Sequence, residues 1–303
     1  MKHTLILTIA ALLAIGAVGC HSNKAEEELT DAEKLELLDL KIERSPKDAD
    51  LLANRARVLL NLNRPKEALF DIGKAVNIDP DKVDYRLLEA DIYFANGDVK
   101  NSYRALGEAE QLAPKSKEVQ LKMGEITYYN RDYDRALQHL TKVTEQEPDN
   151  RTALFMKGFI YKEKGDTAEA VTLLRRVCDI DPNYEPAFEE LGVLYASRQN
   201  PMALEYLSTA MRLQPSNTNV LYALAMYYQD LQQYDEAEKC YHQMLDINPA
   251  SADAWHNLGY LEMTVYGDFE RAIEYFDKAI EANPQHEASR INRHLADSLM
   301  KSK

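Results

Sequence analysis

The side chains of this 303-residue chain that could do chemistry are few. Cys20, Cys178 and Cys240 supply thiols, which can take a lipid, a metal or one another. His242, His256, His286 and His294 gather late in the chain, but none stands at a metal-ligand spacing from acids or thiols. No glycine loop suited to phosphate is present, and no serine or cysteine sits in a nucleophile motif. Each His, Asp and Glu is accounted for as a helix-surface group, so neither catalysis nor a metal nor any cofactor is expected. What remains is recognition: aromatics and methionines set among carboxylates bury apolar area and attract basic partners.

The elements that place these residues begin with a leader. Lys2 and His3 open it, Leu5 to Val18 form an uncharged apolar run, and the run stops at Gly19-Cys20. Fourteen apolar residues fall short of the ~20 that span a bilayer core and match a secretory signal peptide. Ala17-Val18-Gly19-Cys20 resembles the bacterial lipobox, with alanine where leucine is commonest. That resemblance implies a leader over 1–19, a diacylglyceryl group on Cys20, and a lipidated mature N-terminus. An ordinary signal peptide cut nearby is the other reading. Several acyl chains on one cysteine hold a protein stably at a membrane, each buried methylene contributing ~0.8 kcal/mol. Residues 20–30 are polar and read as a tether. Position two after the cysteine is His21 and not the aspartate of inner-membrane retention, which favours the outer membrane, periplasm-facing or at the cell surface. Glu26 to Glu28 read as an acidic spacer, or, by resemblance, as a surface-export signal of Bacteroidetes lipoproteins.

Net charge narrows the partners. The chain carries 36 basic and 50 acidic residues, and losing Lys2 with the leader makes the balance more negative. A nucleic-acid groove needs the opposite sign, so nucleic acid is not expected as a partner.

The main architecture is announced by prolines. Pro46, Pro80, Pro114, Pro148, Pro182, Pro215, Pro249 and Pro284 recur at 34, 34, 34, 34, 33, 34 and 35 residues. A period of 34 points to helical hairpins each closed by a proline, which has no amide hydrogen to continue a helix. Ten residues past each proline stand Ala56, Ala90, Gly124, Gly158, Gly192, Ala225 and Gly259, all small. About 22 past stand Ala68, Ser102, Ala136, Ala170, Ala203, Ala237 and Ala272. Small residues at both places let two antiparallel helices interlock at short distance.

These residues carry a family resemblance. Trp255-His256-Asn257-Leu258-Gly259, followed by Ala272, Phe276, Ala279 and Pro284, is similar to the tetratricopeptide repeat, and seven such units occupy 49–284. The implied fold is all-α: a right-handed α-solenoid of seven tetratricopeptide helix-turn-helix repeats. Thr30-Asp31-Ala32-Glu33 is a capping box that predicts an N-terminal helix over 31–45. Residues 285–303 predict a C-terminal capping helix, with Ile291, Leu295 and Leu299 as the face that closes the stack. Asn96-Gly97-Asp98, Lys164-Gly165-Asp166 and Gly267-Asp268 place glycine at a left-handed helix end before a capping aspartate. Repeat five is one residue short, at Arg198-Gln199-Asn200-Pro201, and repeat seven one long, at Tyr266-Gly267-Asp268. Cys178 and Cys240 fall on second helices two repeats apart. At roughly 8–10 Å per helix neighbour they are too far to bridge.

The resemblance also implies where partners bind, because first helices of such repeats line an inner face. Its register selects Asp84, Leu87, Asp91, Phe94, Leu121, Glu125, Tyr128, Phe155, Phe159, Tyr222, Met226 and Tyr260, with Met263, Glu118 and Glu189 beside them. Such a set suits an extended peptide of alternating apolar and basic residues; the other reading is that several aromatics pack between repeats. The clamp by which chaperone-binding relatives hold a C-terminal carboxylate is missing, since its positions carry Ala53 with Arg57, Leu87 with Asp91, and Leu121 with Glu125. The expected function is a lipid-anchored adaptor of the bacterial envelope that binds a protein or peptide. A surface accessory binding glycans or nutrients is the alternative.

Overall fold

The computed structural model describes residues 29–302; the leader, Cys20 and the acidic run lie outside the described residues. All regular structure among the described residues is helical. It forms two compact units, the first ending at Pro148 and the second starting at Asp149.

In the first unit α1 (Asp31–Arg44) precedes three hairpins: α2 (Ala49–Asn61) with α3 (Pro65–Ile78), α4 (Val83–Ala95) with α5 (Val99–Leu112), and α6 (Lys117–Tyr129) with α7 (Tyr133–Gln146). The capping box forms as its sequence dictates. Thr30 N donates to Glu33 at 2.9 Å while Glu33 N donates back to the Thr30 hydroxyl at 3.3 Å, satisfying two otherwise orphan amides. Each hairpin packs on the next through its second helix, and the first helices α2 and α4 also touch.

The second unit holds four hairpins and a final helix: α8 (Arg151–Glu163) with α9 (Thr167–Ile180), α10 (Glu185–Ala196) with α11 (Met202–Leu213), α12 (Thr218–Asp230) with α13 (Tyr234–Ile247), α14 (Ala252–Leu261) with α15 (Phe269–Ala282), then α16 (Glu287–Ser302). Here too first helices are neighbours, α10 beside α12 and α14 beside α16. Within each unit this is an α-solenoid of tetratricopeptide type.

The small residues explain the tight hairpins. A methyl group built on Gly124, Gly158 or Gly259 would lie 2.8–2.9 Å from Leu140, Leu174 or Phe276, and on Gly192 only 2.5 Å from Leu207. Those four large side chains are fully buried, so the glycines let one apolar side chain per hairpin reach the backbone opposite. The turns obey the same economy. Gly97, Gly165 and Gly267 have φ of 78°, 81° and 67°, and Asp98, Asp166 and Asp268 each accept an amide of the following helix. Where glycine is absent, Asn63, Arg131, Gln199 and Gln232 take up the left-handed conformation instead, φ 52–59°, at some cost in strain.

Two local features differ from expectation. Repeat seven absorbs its extra residue one turn earlier than the connection, as a π-helical turn over Glu262–Tyr266. Buried Glu262 in that turn pairs with Arg271 of α15 at 2.8 Å. The second difference is α16, which does not close the stack with its leucines: Ile291, Leu295 and Leu299 are 58%, 47% and 38% exposed. What packs inward is Ser289 and Ala296, both fully buried, while Arg290 and His294 are exposed. Small residues suffice here because α16 lies close against α15 and α14.

Candidate functional site

The proline register places two rows of first-helix side chains, seven and eleven residues past each proline. In the first unit the row at seven is Ala53, Leu87 and Leu121, and the row at eleven is Arg57, Asp91 and Glu125. Leu87, expected on the binding face, is 4% exposed. It packs with Ala105 and Leu106 of α5 and with Val119 and Met123 of α6, because a leucine at this height finds the seam between hairpins within reach. Asp84 and Glu125 are exposed, and Leu121 and Tyr128 half-buried.

The acids of this face are partly neutralised. Lys122 Nζ donates to Asp91 at 2.6 Å, and both line a shallow recess with Phe94 and Glu125. Phe94 meets Tyr129 edge-on with ring centroids 5.1 Å apart, and Tyr128 stacks on Tyr133 at 5.9 Å. These aromatics therefore support the hairpin ends as well as the face, as the packing alternative anticipated.

In the second unit the row at seven is Phe155, Glu189, Tyr222, His256 and Ile291, and the row at eleven is Phe159, Val193, Met226, Tyr260 and Leu295. The latter row is wholly uncharged, whereas its counterpart in the first unit is wholly charged. Phe155 is half-buried, 5.2 Å edge-on from Tyr184 and 6.4 Å from Phe159. Lys162 lies over the Phe159 ring at 4.2 Å and pairs with Glu190 at 2.6 Å, and Asn217 donates to Glu189 at 2.9 Å. Tyr222, Met226 and Tyr260 are exposed. Met226 and Tyr260 line an open recess of about 540 Å³ together with Gln229, Asp230, His256 and Asn292, a volume within the range of ligand sites. Met263, expected beside them, is instead buried against Ala272, Phe276 and Ala296; the π-turn rotates it off the face.

One constellation was missed from sequence. Ser289 Oγ lies 2.7 Å from His286 Nδ1 and 3.0 Å from His256 Nδ1, and His286 Nε2 lies 3.2 Å from Asp253. The serine is fully buried, so no substrate carbonyl can approach it, and the group works as a latch joining α16 to α14. Burial and the neighbouring His286 hold His256 below its ordinary pKa. The signal was the repeat register itself, since His256 and Ser289 fall on first helices of consecutive units.

Cys178 and Cys240 are buried free thiols, pushed up to about 12 and about 11 by burial, which leaves them protonated and unreactive at neutral pH. Among the described residues no group of three or more His, Cys, Asp or Glu is placed to hold a metal ion. No described helix is long and apolar enough to cross a membrane.

Comparison with known proteins agrees with this geometry. A family model described as tetratricopeptide repeat matches residues 121–185 and 222–287, and a second of the same description matches 49–82. Among solved structures, YrrB, described as a TPR protein with an unusual peptide-binding site, is 25% identical; the match covers 62% of this chain and 98% of that one at a TM-score of 0.50. A tetratricopeptide repeat protein from Parabacteroides merdae is 14% identical over 82% of this chain and 98% of its own, TM-score 0.62. Yeast Tom70 is 16% identical over 99% of this chain and 64% of its own, TM-score 0.59. The latter two likenesses show fold alone. No curated protein matches the chain in sequence.

Proposed function

Since this chain is built of tetratricopeptide repeats, we propose that it is a non-catalytic protein-binding scaffold, held at the bacterial outer membrane by lipid on Cys20 and binding partners on its first-helix faces. The observation that carries the binding claim is the recess holding Met226 and Tyr260, two exposed apolar side chains beside a single carboxylate, Asp230. Exposed aromatic and methionine side chains of this kind anchor partner proteins. The described peptide site of YrrB supports the same reading. The first unit adds a charged face, where Glu125 and the Lys122–Asp91 pair favour a partner segment with basic side chains.

Two experiments test the two halves. For binding, the chain and its Met226→Ala, Tyr260→Ala variant are titrated with a peptide library at two ionic strengths. Loss of affinity on substitution is expected. Unchanged affinity for every peptide, or salt-independent binding of neutral oligosaccharides in their place, would remove the protein-binding reading. For anchoring, fatty-acid labelling and membrane fractionation are compared with Cys20→Ala, which is expected to leave the membrane fraction. An unlabelled, soluble parent chain would remove the anchor.

A further inference from the structure

Two residues past the small residue of each second helix stands an exposed position, and in six of the seven hairpins it is polar: Arg104, Gln138, Thr172, Glu205, Lys239 and Glu274. In α3 it is Phe70, at 65% the most exposed large apolar side chain among the described residues. Nothing in the hairpin asks for an aromatic there, since six hairpins fold with a polar group in its place. Phe70 borders an open recess of about 390 Å³ in the first unit, lined also by Leu35 and Asp39 of α1, Arg55 and Leu59 of α2, and Lys66 of α3.

The charges around the ring leave two cations over. Arg55 holds both Asp39 and Asp71, and Arg64 holds Glu67 at 2.6 Å, so every carboxylate lining the recess is already met by an arginine. Lys66, one turn before Phe70, has no ion-pair partner among the described residues. Lys74, one turn after it, lies over the ring at 4.0 Å and likewise meets no carboxylate among them. Four cations are thus gathered with three carboxylates, in a chain of 36 basic and 50 acidic residues. Spacings of four put Lys66, Phe70 and Lys74 in one stripe along α3. An aromatic flanked by lysines suits the boundary of water and lipid, where the ring is buried and the ammonium groups reach back to phosphates.

The path of the chain leads to the same surface. Residues 21–30 separate Cys20 from α1 and reach at most ~40 Å when fully extended. Leu35, in the second turn of α1, lines the same recess as Phe70. With lipid on Cys20, this corner of the first unit is therefore kept close to the bilayer, where a weak contact acts at high effective concentration. We propose that Phe70, Lys66 and Lys74 form a second membrane contact, the ring entering the headgroup layer while the two ammonium groups meet anionic phospholipid headgroups. This rests on the anchor reading above and specifies which surface of α3 lies against the membrane.

The test couples the chain from Cys20 onward, through that thiol, to maleimide-bearing lipid in vesicles; Cys178 and Cys240 are buried and so are spared. Trp255 is the single tryptophan, so Phe70→Trp in a Trp255→Phe background reports on the site alone. In phosphatidylcholine vesicles containing phosphatidylglycerol, bromine on the acyl chains is expected to quench Phe70→Trp by about half or more. Lys66→Glu with Lys74→Glu, or omission of the phosphatidylglycerol, should cut that quenching at least about threefold, and added salt should weaken it likewise. Gln138→Trp, in the same register two hairpins on, should stay unquenched. These side chains are exposed, so melting temperatures should match that of the Trp255→Phe background. An unquenched Phe70→Trp, or equal quenching of Gln138→Trp, overturns the proposal. Quenching indifferent to lipid charge and to the lysine reversals overturns the part given to the lysines. Because this tether is made chemically, the outcome is independent of whether cells acylate Cys20: failed fatty-acid labelling would remove the anchor and leave the vesicle result as it stands.

Discussion

Gly192→Ala tests the close approach of α10 and α11. The added methyl would lie 2.5 Å from Leu207 Cγ and Cδ2 and 3.1 Å from its amide nitrogen, where ordinary contact is ~3.5–4.0 Å. Leu207 is fully buried and has nowhere to turn. Overpacking costs about 1–3 kcal/mol, and replacing glycine by alanine within a helix returns about 1 kcal/mol. At 2.5 Å the clash prevails, for a net loss of up to about 2 kcal/mol. Gly73 in α3 and Gly107 in α5 provide controls, because a methyl there meets nothing within 4 Å. Gly73→Ala and Gly107→Ala should each gain up to about 1 kcal/mol. Urea unfolding followed by circular dichroism reads all three as midpoints at constant slope. In a Leu207→Ala background the penalty should vanish, with a coupling of about 1 kcal/mol or more. A Gly192→Ala chain as stable as Gly73→Ala would show that these helices do not approach as described, and the argument from small residues would fail for every hairpin.

Other perturbations have equally definite signs. Gly165→Ala should lose about 1 kcal/mol in urea unfolding and Gln232→Gly lose nothing or gain slightly, since both positions have positive φ; the opposite order would contradict the turn geometry. Arg55 donates to buried Asp71 at 2.7 and 2.8 Å and to Asp39 at 2.7 Å, so Arg55→Ala strands a carboxylate that is 2% exposed and should cost about 3 kcal/mol. Arg55→Lys recovers only part, lacking the two-pronged geometry, and thermal melting measures both. Burial holds the His139 and His256 imidazoles below their ordinary pKa. Folding therefore favours their neutral forms; that stability is complete above about 6.5 and is lost as pH falls through the lower folded values. Melting temperature should drop on acidification, and His256→Asn should flatten the drop; an unaltered slope would show that the latch does not titrate.

Much of the fold was legible because one residue type marks one event. Proline cannot continue a helix, so its period reported the hairpins, and the small residues in register reported their closeness. The face was read less well. A period fixes which way a side chain points, but not how far the neighbouring hairpin extends over it, and so Leu87 was placed on the surface that it underlies. Met263 moved because an inserted residue can widen a helix turn at less expense than it can lengthen a tight connection. The apolar period of α16 predicts a buried face, as amphipathic helices usually have, but Ser289 and Ala296 pack closer and leave that period exposed. The contrast of Arg57, Asp91 and Glu125 with Phe159, Val193, Met226, Tyr260 and Leu295 was present in the sequence; only the rows, drawn on a structure, separate it by unit.

The exposed Arg290 and His294 have a further meaning. They stand six and ten residues past Pro284, where preceding repeats place residues such as Leu221 or Trp255 and, always, alanine or glycine. An imidazole where every hairpin demands a stub obstructs a following antiparallel helix, whereas a guanidinium at six has a precedent in Arg86 of the second repeat, which pairs with Glu108 of the helix packed on it. Grafting an additional antiparallel helix onto α16 would therefore first require His294→Ala.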